Sequence, residues 1–245
     1  MSGLNLPNLG GLHPNSLIQS VGQGFNGLFN GNRKKSPQPA AAVAPAPKNM
    51  SRAMQLGNTD GLGQAKGGLN NLSGDPQTRS AIEAASKATG QSVDDLTAMA
   101  IIESTGNRHV GTNAYGYSGL MQMGRAAAQD VGMSYGSLLG GGNVKNNAMA
   151  GAKYMNVNAK RLDKGIPQDP LHLYLAHQQG AGGTNALMET LKSNPKAAAT
   201  RNQRNNLPGA VLKELGGNVT QQDFYDYWKG KMGAIQSSIQ DSKKK

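Results

Sequence analysis

The chain contains no cysteine, which excludes disulfides and thiolate metal sites. Aromatic residues are also scarce, 4% of 245 residues with one Trp and three Phe, beside 34 glycines. That balance implies that one part of the chain carries the core and another part is loose. No apolar run approaches the roughly 18 residues that suggest a membrane span. The first 30 residues have no basic segment followed by an apolar one, so a usual secretory signal is not expected there. Histidines number four, and neither His109 nor His172 has a partner at metal-ligand spacing, so no metal or cofactor is expected. Acids are few as well: 14 against 25 Lys and Arg, a net charge of +11. Such an excess suits an acidic partner, whether nucleic acid, anionic lipid or an anionic wall polymer.

What is present falls into unlike sections. Residues 1–71 carry Gly-Leu and Asn-Gly pairs, Arg33-Lys34-Lys35, and the Pro/Ala stretch from Ser36 to Asn49. Six basic residues stand against one acid, Asp60, up to residue 70. This composition reads as a low-complexity basic arm and semi-rigid linker that cannot bury a core by itself. Within it, Leu17, Val21, Phe25 and Phe29 have the spacing of a short docking helix, against which the intervening glycines argue. From Asp75 the punctuation becomes helical. Asp75-Pro76 and Gly90 bound a helix over 76–89, and Ser92 with Asp95 opens one from Val93 to Ser104. Further helices are expected over 121–131, 143–164, 170–180 and 183–194. Thr220 with Asp223 opens a last one. No strand pattern or internal repeat is evident. The fold class is mainly α, one domain over 72–235 with a basic tail at 236–245.

One acid has an unusual setting. Leu96, Met99 or Ala100, and Glu103 share a helix face, and Glu103 directly follows the apolar run Met99–Ile102. Apolar surroundings and the negative end of the helix dipole both disfavour its charged form. No Lys or Arg lies within four residues to offset them. A carboxyl poised near neutrality suits a general acid. Periodicity alone leaves open a second reading, a helix-end Glu that turns to solvent.

The loop beyond narrows the choice. Glu103-Ser104-Thr105-Gly106-Asn107 is followed by Ser118-Gly119-Leu120-Met121-Gln122, and later by Tyr174-Leu175-Ala176-His177-Gln178-Gln179-Gly180-Ala181-Gly182. In order and spacing these resemble the Glu-Ser, Gly-Leu-Met-Gln and Ala-Tyr-Asn-Ala-Gly-x-Gly motifs of lytic transglycosylases of the soluble (SLT) type, relatives of goose-type lysozyme. The resemblance covers about Ile82 to Gly183, and Gly151-Ala152-Lys153-Tyr154 is similar to the family's intervening helix. His177 and Gln178 depart from it, standing where Tyr and Asn are usual. The His-Gln-Gln-Gly form resembles a version found in bacteriophage virion proteins.

The resemblance implies a lysozyme-like (goose-type/SLT) helical domain acting on peptidoglycan glycan strands. Glu103 would protonate the bond between N-acetylmuramic acid and N-acetylglucosamine. It would then take the proton of the muramyl 6-hydroxyl, leaving a 1,6-anhydro product. Ser104 and Gln122 would orient Glu103 or the muramyl group. Ser118, Gly119, Leu120 and Met121 would shape the cleft floor, and Tyr154, His177 and Gln178 would lie near the acid. Tyr115 and Tyr117 are either sugar-stacking rings or loop packing. Asp130 and Asp163 lie away from the motifs, so no second carboxylate is expected at the site. Phe224, Tyr225 and Trp228 read as core packing, and Asn218-Val219-Thr220 reads as a helix cap rather than a glycosylation acceptor. The expected setting is a phage tail or internal ejection protein acting in the host periplasm or wall. It would be anchored to other virion proteins through residues 1–70, and its charge is also compatible with DNA. A hydrolytic lysozyme, a non-enzymatic virion protein of this fold, and a secreted bacterial enzyme remain as alternatives.

Overall fold

The computed structural model describes residues 50–244, so the docking helix expected over Ser16–Phe29 and the Pro/Ala stretch lie outside the described residues. Nine α-helices follow one another: α1 (Arg52–Gly74), α2 (Pro76–Thr89), α3 (Val93–Ser104), α4 (Arg125–Asp130), α5 (Val144–Arg161), α6 (Pro170–Ser193), α7 (Arg201–Asn205), α8 (Gly209–Leu215) and α9 (Gln221–Ser242). Two short 3-10 turns, Tyr135–Leu138 and Gly141–Asn143, precede α5. Among the described residues the only β-type pairings are isolated bridges, Ser118 with Met123 and Ala198 with Thr220.

The expected punctuation works where a cap is local. Asp75 accepts from Thr78 N with Pro76 behind it, and Gly90 ends α2 in the left-handed conformation. Ser92 accepts from Asp95 N at the start of α3. Thr220 and Asp223 form a reciprocal capping box at the start of α9. Asp169 accepts from His172 N and opens α6. The helix expected over 121–131 shrinks to α4. Ser118 and Met123 exchange both backbone hydrogen bonds, and Gln122 sits at φ 44°, which holds the segment ahead of it as a turn. The two helices expected over 170–194 form one element broken at Gly180, which adopts φ 77°, ψ 156°.

The larger correction concerns the supposed arm, which was expected to run to residue 71. From Arg52 on it is helix. Its buried face is Ala53, Gly57, Gly61, Ala65, Gly68 and Leu72, small residues three or four apart on one stripe. A Cβ at Gly57 would lie 1.9 Å from the Tyr227 carbonyl oxygen, and one at Gly61 would lie 2.5 Å from that of Lys231. Opposite them, a Cβ at Gly230 of α9 would lie 2.2 Å from the Met54 carbonyl oxygen. The two backbones therefore touch, and each glycine removes a side chain that would part them. Each interior glycine costs roughly 0.5–1 kcal/mol of helix propensity against Ala. Close packing along the whole α1–α9 seam offsets that cost. At the other end, α9 continues past 235 with Ile235 and Ile239 buried, and Lys243 pairs with Asp94 of α3. Most of the expected basic tail is thus part of the helix.

Three of the other aromatics pack around Trp228. Trp228 packs on Tyr174 of α6 at 5.0 Å between ring centroids, on Tyr227 at 5.1 Å and on Phe224 at 6.4 Å. Phe224, Tyr227 and Trp228 are buried, which makes that stripe core. Tyr225 is only partly buried and faces His172. No helix among the described residues is long and apolar enough to cross a membrane.

Candidate active site

Glu103 is the penultimate residue of α3 and is 1% exposed. The helix ends immediately beyond it because Thr105 takes a left-handed conformation, φ 53°, a rare one for a β-branched residue. Helix α1 braces this end. Gln64 Nε2 donates to the carbonyls of Ile101 and Ile102 at 2.8 and 2.9 Å, and Asn71 Nδ2 donates to that of Thr105 at 2.8 Å. These carbonyls lie at the C-terminal end of the helix, where intrahelical donors run out, although that of Ile101 also accepts from Thr105 N at 2.9 Å. Gly68 lies against Ile101, where a Cβ would come within 2.6 Å of Cγ1.

Ser104 is buried, and its hydroxyl donates to the Ala100 carbonyl one turn back, at 2.9 Å. The second motif is a tight turn. Gly119 (φ 76°) is followed by the buried side chains of Leu120 and Met121 and by Gln122, whose Nε2 donates to the Gly119 carbonyl at 2.8 Å. Gln122 and Thr105 are the two non-glycine residues with positive φ among those described, and both flank the acid in the motifs, where backbone strain tends to gather.

One residue that the sequence reading did not single out holds this turn. Asn147 of α5 is buried; its Oδ1 accepts from Met121 N at 2.8 Å, and its Nδ2 donates to the carbonyls of Ser118 at 2.9 Å and Leu138 at 3.1 Å. A Cβ on Gly119 would meet Nδ2 at 2.5 Å, so glycine is needed there for space as well as for φ. An Asn among small residues four positions before Gly151 is the only sequence signal for this clamp. Gly151 itself leaves room for the Met121 side chain.

The third motif supplies the acid's neighbour. His177 Nε2 of α6 lies 3.6 Å from Glu103 Oε1, and the imidazole is 4% exposed. Burial pushes its pKa down to about 4, so near pH 7 the group facing Glu103 is a neutral imidazole. Its ring stands edge-on to Tyr154 of α5 at 5.6 Å. Gln178, by contrast, is fully buried and turns inward, where Nε2 donates to Tyr174 Oη at 3.2 Å.

Tyr117 is half-buried, its ring over Gly124, and it is close enough to Tyr154 and Glu103 that both, after burial, push its phenol pKa up. Tyr115, two residues away, is 47% exposed. The loop bearing both is pinned by Asn113 Oδ1, which accepts from Tyr115 N and Tyr117 N, and by Tyr135 Oη, which donates to the Gly116 carbonyl. The fold thus brings Glu103, Tyr117, Tyr154 and His177 to one place, and Tyr117 leads directly into the turn at Ser118–Gln122. Ser104 and Gln178 direct their polar ends elsewhere.

Asp130 and Asp163 are engaged elsewhere. Asp130 holds Arg161 in a two-pronged pair at 2.7 and 3.1 Å, and Asp163 accepts from Asn185. Among the described residues no cluster of three His, Cys, Asp or Glu could hold a metal ion.

Residues 80–202, half of the chain, match the transglycosylase SLT domain. The chain belongs to that family. The mainly helical architecture of the described residues is the lysozyme-like one that family membership implies, and membership supports lytic transglycosylase activity on peptidoglycan. A comparison with curated proteins finds no match. Helices α1, α8 and α9 lie wholly outside the matched segment.

Proposed function

We propose that this SLT-family chain cleaves the β-1,4 bond between N-acetylmuramic acid and N-acetylglucosamine, and closes a 1,6-anhydro ring on the muramyl product. The observation that carries this reading is a single buried carboxyl, Glu103, faced by a neutral imidazole, with Asp130 and Asp163 engaged elsewhere. Ordinary glycosidases use two carboxyl groups, one of them to activate water or attack the sugar. A lone Glu suffices when the nucleophile belongs to the substrate. Glu103 gives its proton to the glycosidic oxygen as the C1–O bond breaks and positive charge develops at C1. The resulting carboxylate takes the proton of the muramyl 6-hydroxyl as O6 bonds to C1. Glu103 ends protonated, and no water is consumed.

Burial keeps His177 uncharged at neutral pH, so the imidazole facing Glu103 adds no positive charge that would favour early loss of the Glu103 proton. In this reading Tyr115 and Tyr117 would stack on sugar rings, and Ser118, Gln122 and the Gly119–Met121 backbone would contact the glycan.

The setting we propose is a bacteriophage particle whose transglycosylase opens the wall as DNA enters. Its support is the resemblance of the His177-Gln178-Gln179-Gly180 variant to virion proteins, together with the basic run Arg33-Lys34-Lys35.

Mass spectrometry of muropeptides released from purified peptidoglycan by the whole chain tests the chemistry. Anhydromuramyl ends that vanish in Glu103→Gln are expected. Reducing ends would make the protein a hydrolytic lysozyme, and no release by folded protein would favour a non-enzymatic module.

A further inference from the structure

Outside the family-matched segment, one face of α1 is built around the end of the helix that carries Glu103. Gln64, Gly67, Gly68, Asn71 and Leu72 recur at i, i+3, i+4, i+7 and i+8, so they share one side of α1. A Cβ on Gly67 would lie 3.2 Å from Thr105 Cγ2. From the other side, a Cβ on Gly106 would lie 2.8 Å from Leu72 Cγ and 2.9 Å from the Gly68 carbonyl oxygen. With Gly68 against Ile101, this face follows the chain from just before Glu103 to just after it.

The hydrogen bonds explain what the contact does for the acid. In a regular α-helix the Gly106 amide would donate to the carbonyl four residues back, that of Ile102. Here Thr105 turns left-handed, and Gly106 N donates instead to the Ala100 carbonyl at 3.0 Å. The Ile102 carbonyl thereby loses its helical donor, and it lies in the same peptide plane as the Glu103 amide. Gln64 Nε2 supplies a donor to it at 2.9 Å. The same nitrogen donates to the Ile101 carbonyl at 2.8 Å, alongside Thr105 N. Beyond the acid, Asn71 Nδ2 holds the Thr105 carbonyl at 2.8 Å. Two amides of α1 therefore bracket Glu103, one on the peptide that precedes it and one on the residue that ends its helix.

We propose that Gln64 is a positioning residue for Glu103: by holding the Ile101 and Ile102 carbonyls it fixes the last turn of α3, and with it the direction in which the carboxyl leaves the helix. Asn71 secures the far side of the same turn. The inference rests on the reading of Glu103 as the acid/base. In that cycle one carboxyl serves two atoms in succession, the glycosidic oxygen and the muramyl O6, and each proton transfer needs hydrogen-bond reach. Helix ends fray because their last carbonyls run out of donors, and a displacement of about 1 Å at a reacting group can cost about a hundredfold in rate. Gln64 acts through the backbone, so its loss should change turnover rather than binding.

Gln64→Met in the whole chain tests this, because it removes both donated hydrogen bonds while keeping the length and helix preference of the side chain. Amide hydrogen exchange gives the first readout. Thr105 N and Gly106 N should exchange about tenfold faster in the variant, with the amides of α9 unchanged. Equal protection at both amides would overturn the inference, whether or not the chain is active. The second readout is kinetic, on soluble glycan strands and below the melting temperature of the variant. There kcat for anhydromuramyl release should fall about tenfold while KM stays within about twofold. A folded variant with unchanged kcat, or a loss confined to KM, would contradict the inference. Gln64→Ala enters both measurements if Gln64→Met does not fold. An inactive wild type would defeat the proposed function alone and leave hydrogen exchange to decide whether Gln64 fixes the turn.

Discussion

Residues 80–202 and the α1–α9 pair are built on different principles. The matched segment holds its chemistry through short-range devices: a left-handed Thr105, a Gly119 turn clamped by Asn147, and a helix broken at Gly180. The flanking pair has no motif. It consists of two helices pressed together through Gly57, Gly61 and Gly230, and its polar groups serve the other region. Gln64 and Asn71 cap the helix that carries Glu103. The contrast teaches that a motif can be complete in its own segment and still depend on distant helices to hold its helix end.

The largest effect should fall on the motif side. Glu103→Gln is expected to lower anhydromuramyl release by about a hundredfold or more with little change in the melting temperature, and comparable activity in this variant would remove Glu103 from its role. On the flanking side, Gly57→Leu drives a side chain into the Tyr227 backbone and should cost about 3 kcal/mol or more of stability in a denaturant titration. A loss below about 1 kcal/mol would mean that the α1–α9 seam is softer than its backbone contact indicates.

Asn147→Leu should cost roughly 2–3 kcal/mol, because it leaves Met121 N and the Leu138 carbonyl buried without their partner and takes one of two donors from the Ser118 carbonyl. It should reduce activity by more than its stability loss explains. Unaltered turnover would separate the clamp from the site.

A smaller effect comes from His177. Its folded pKa, about 4, lies below the ordinary histidine value of 6.5, so the unfolded chain binds more protons between those values. Stability therefore rises with pH across that window, is full above about 6.5 and is lost as pH falls through 4. Replacing His177 with Gln should flatten that part of the stability curve, as measured by melting temperature against pH, whereas an unchanged slope would assign the acid sensitivity to other groups. The smallest effect sharpens the comparison from the tolerant face of α1. Gly63 has open space around its Cβ position, so Gly63→Ala should stabilise by about 0.5–1 kcal/mol, opposite in sign to the change at Gly57.

Much of the matched region was legible in the sequence because its signals are local. Caps at Asp75, Ser92, Asp169 and Thr220 lie within three residues of the amides they bind, and the break at Gly180 marks itself. The flanking helix was misread because glycine has two meanings. In Gly57, Gly61 and Gly68 it looks like chain flexibility, and only the i, i+4 stripe with Ala53 and Ala65 indicates a packed face. Asn147 and Gln64 were not legible as supports, since an amide in a helix does not announce which carbonyl it will meet.

By itself the sequence determined the helical class, the family and the position of the acid, since each follows from spacing along one stretch of chain. Only the tertiary structure decided what surrounds that acid. The sequence does not tell which side chain faces Glu103, yet the fold brings His177 from 74 positions away. It also sets His177 at 3.6 Å and closes the helix end with Gln64. Burial and Coulomb interactions depend on distance in space, and distance in space is fixed by packing rather than by order along the chain.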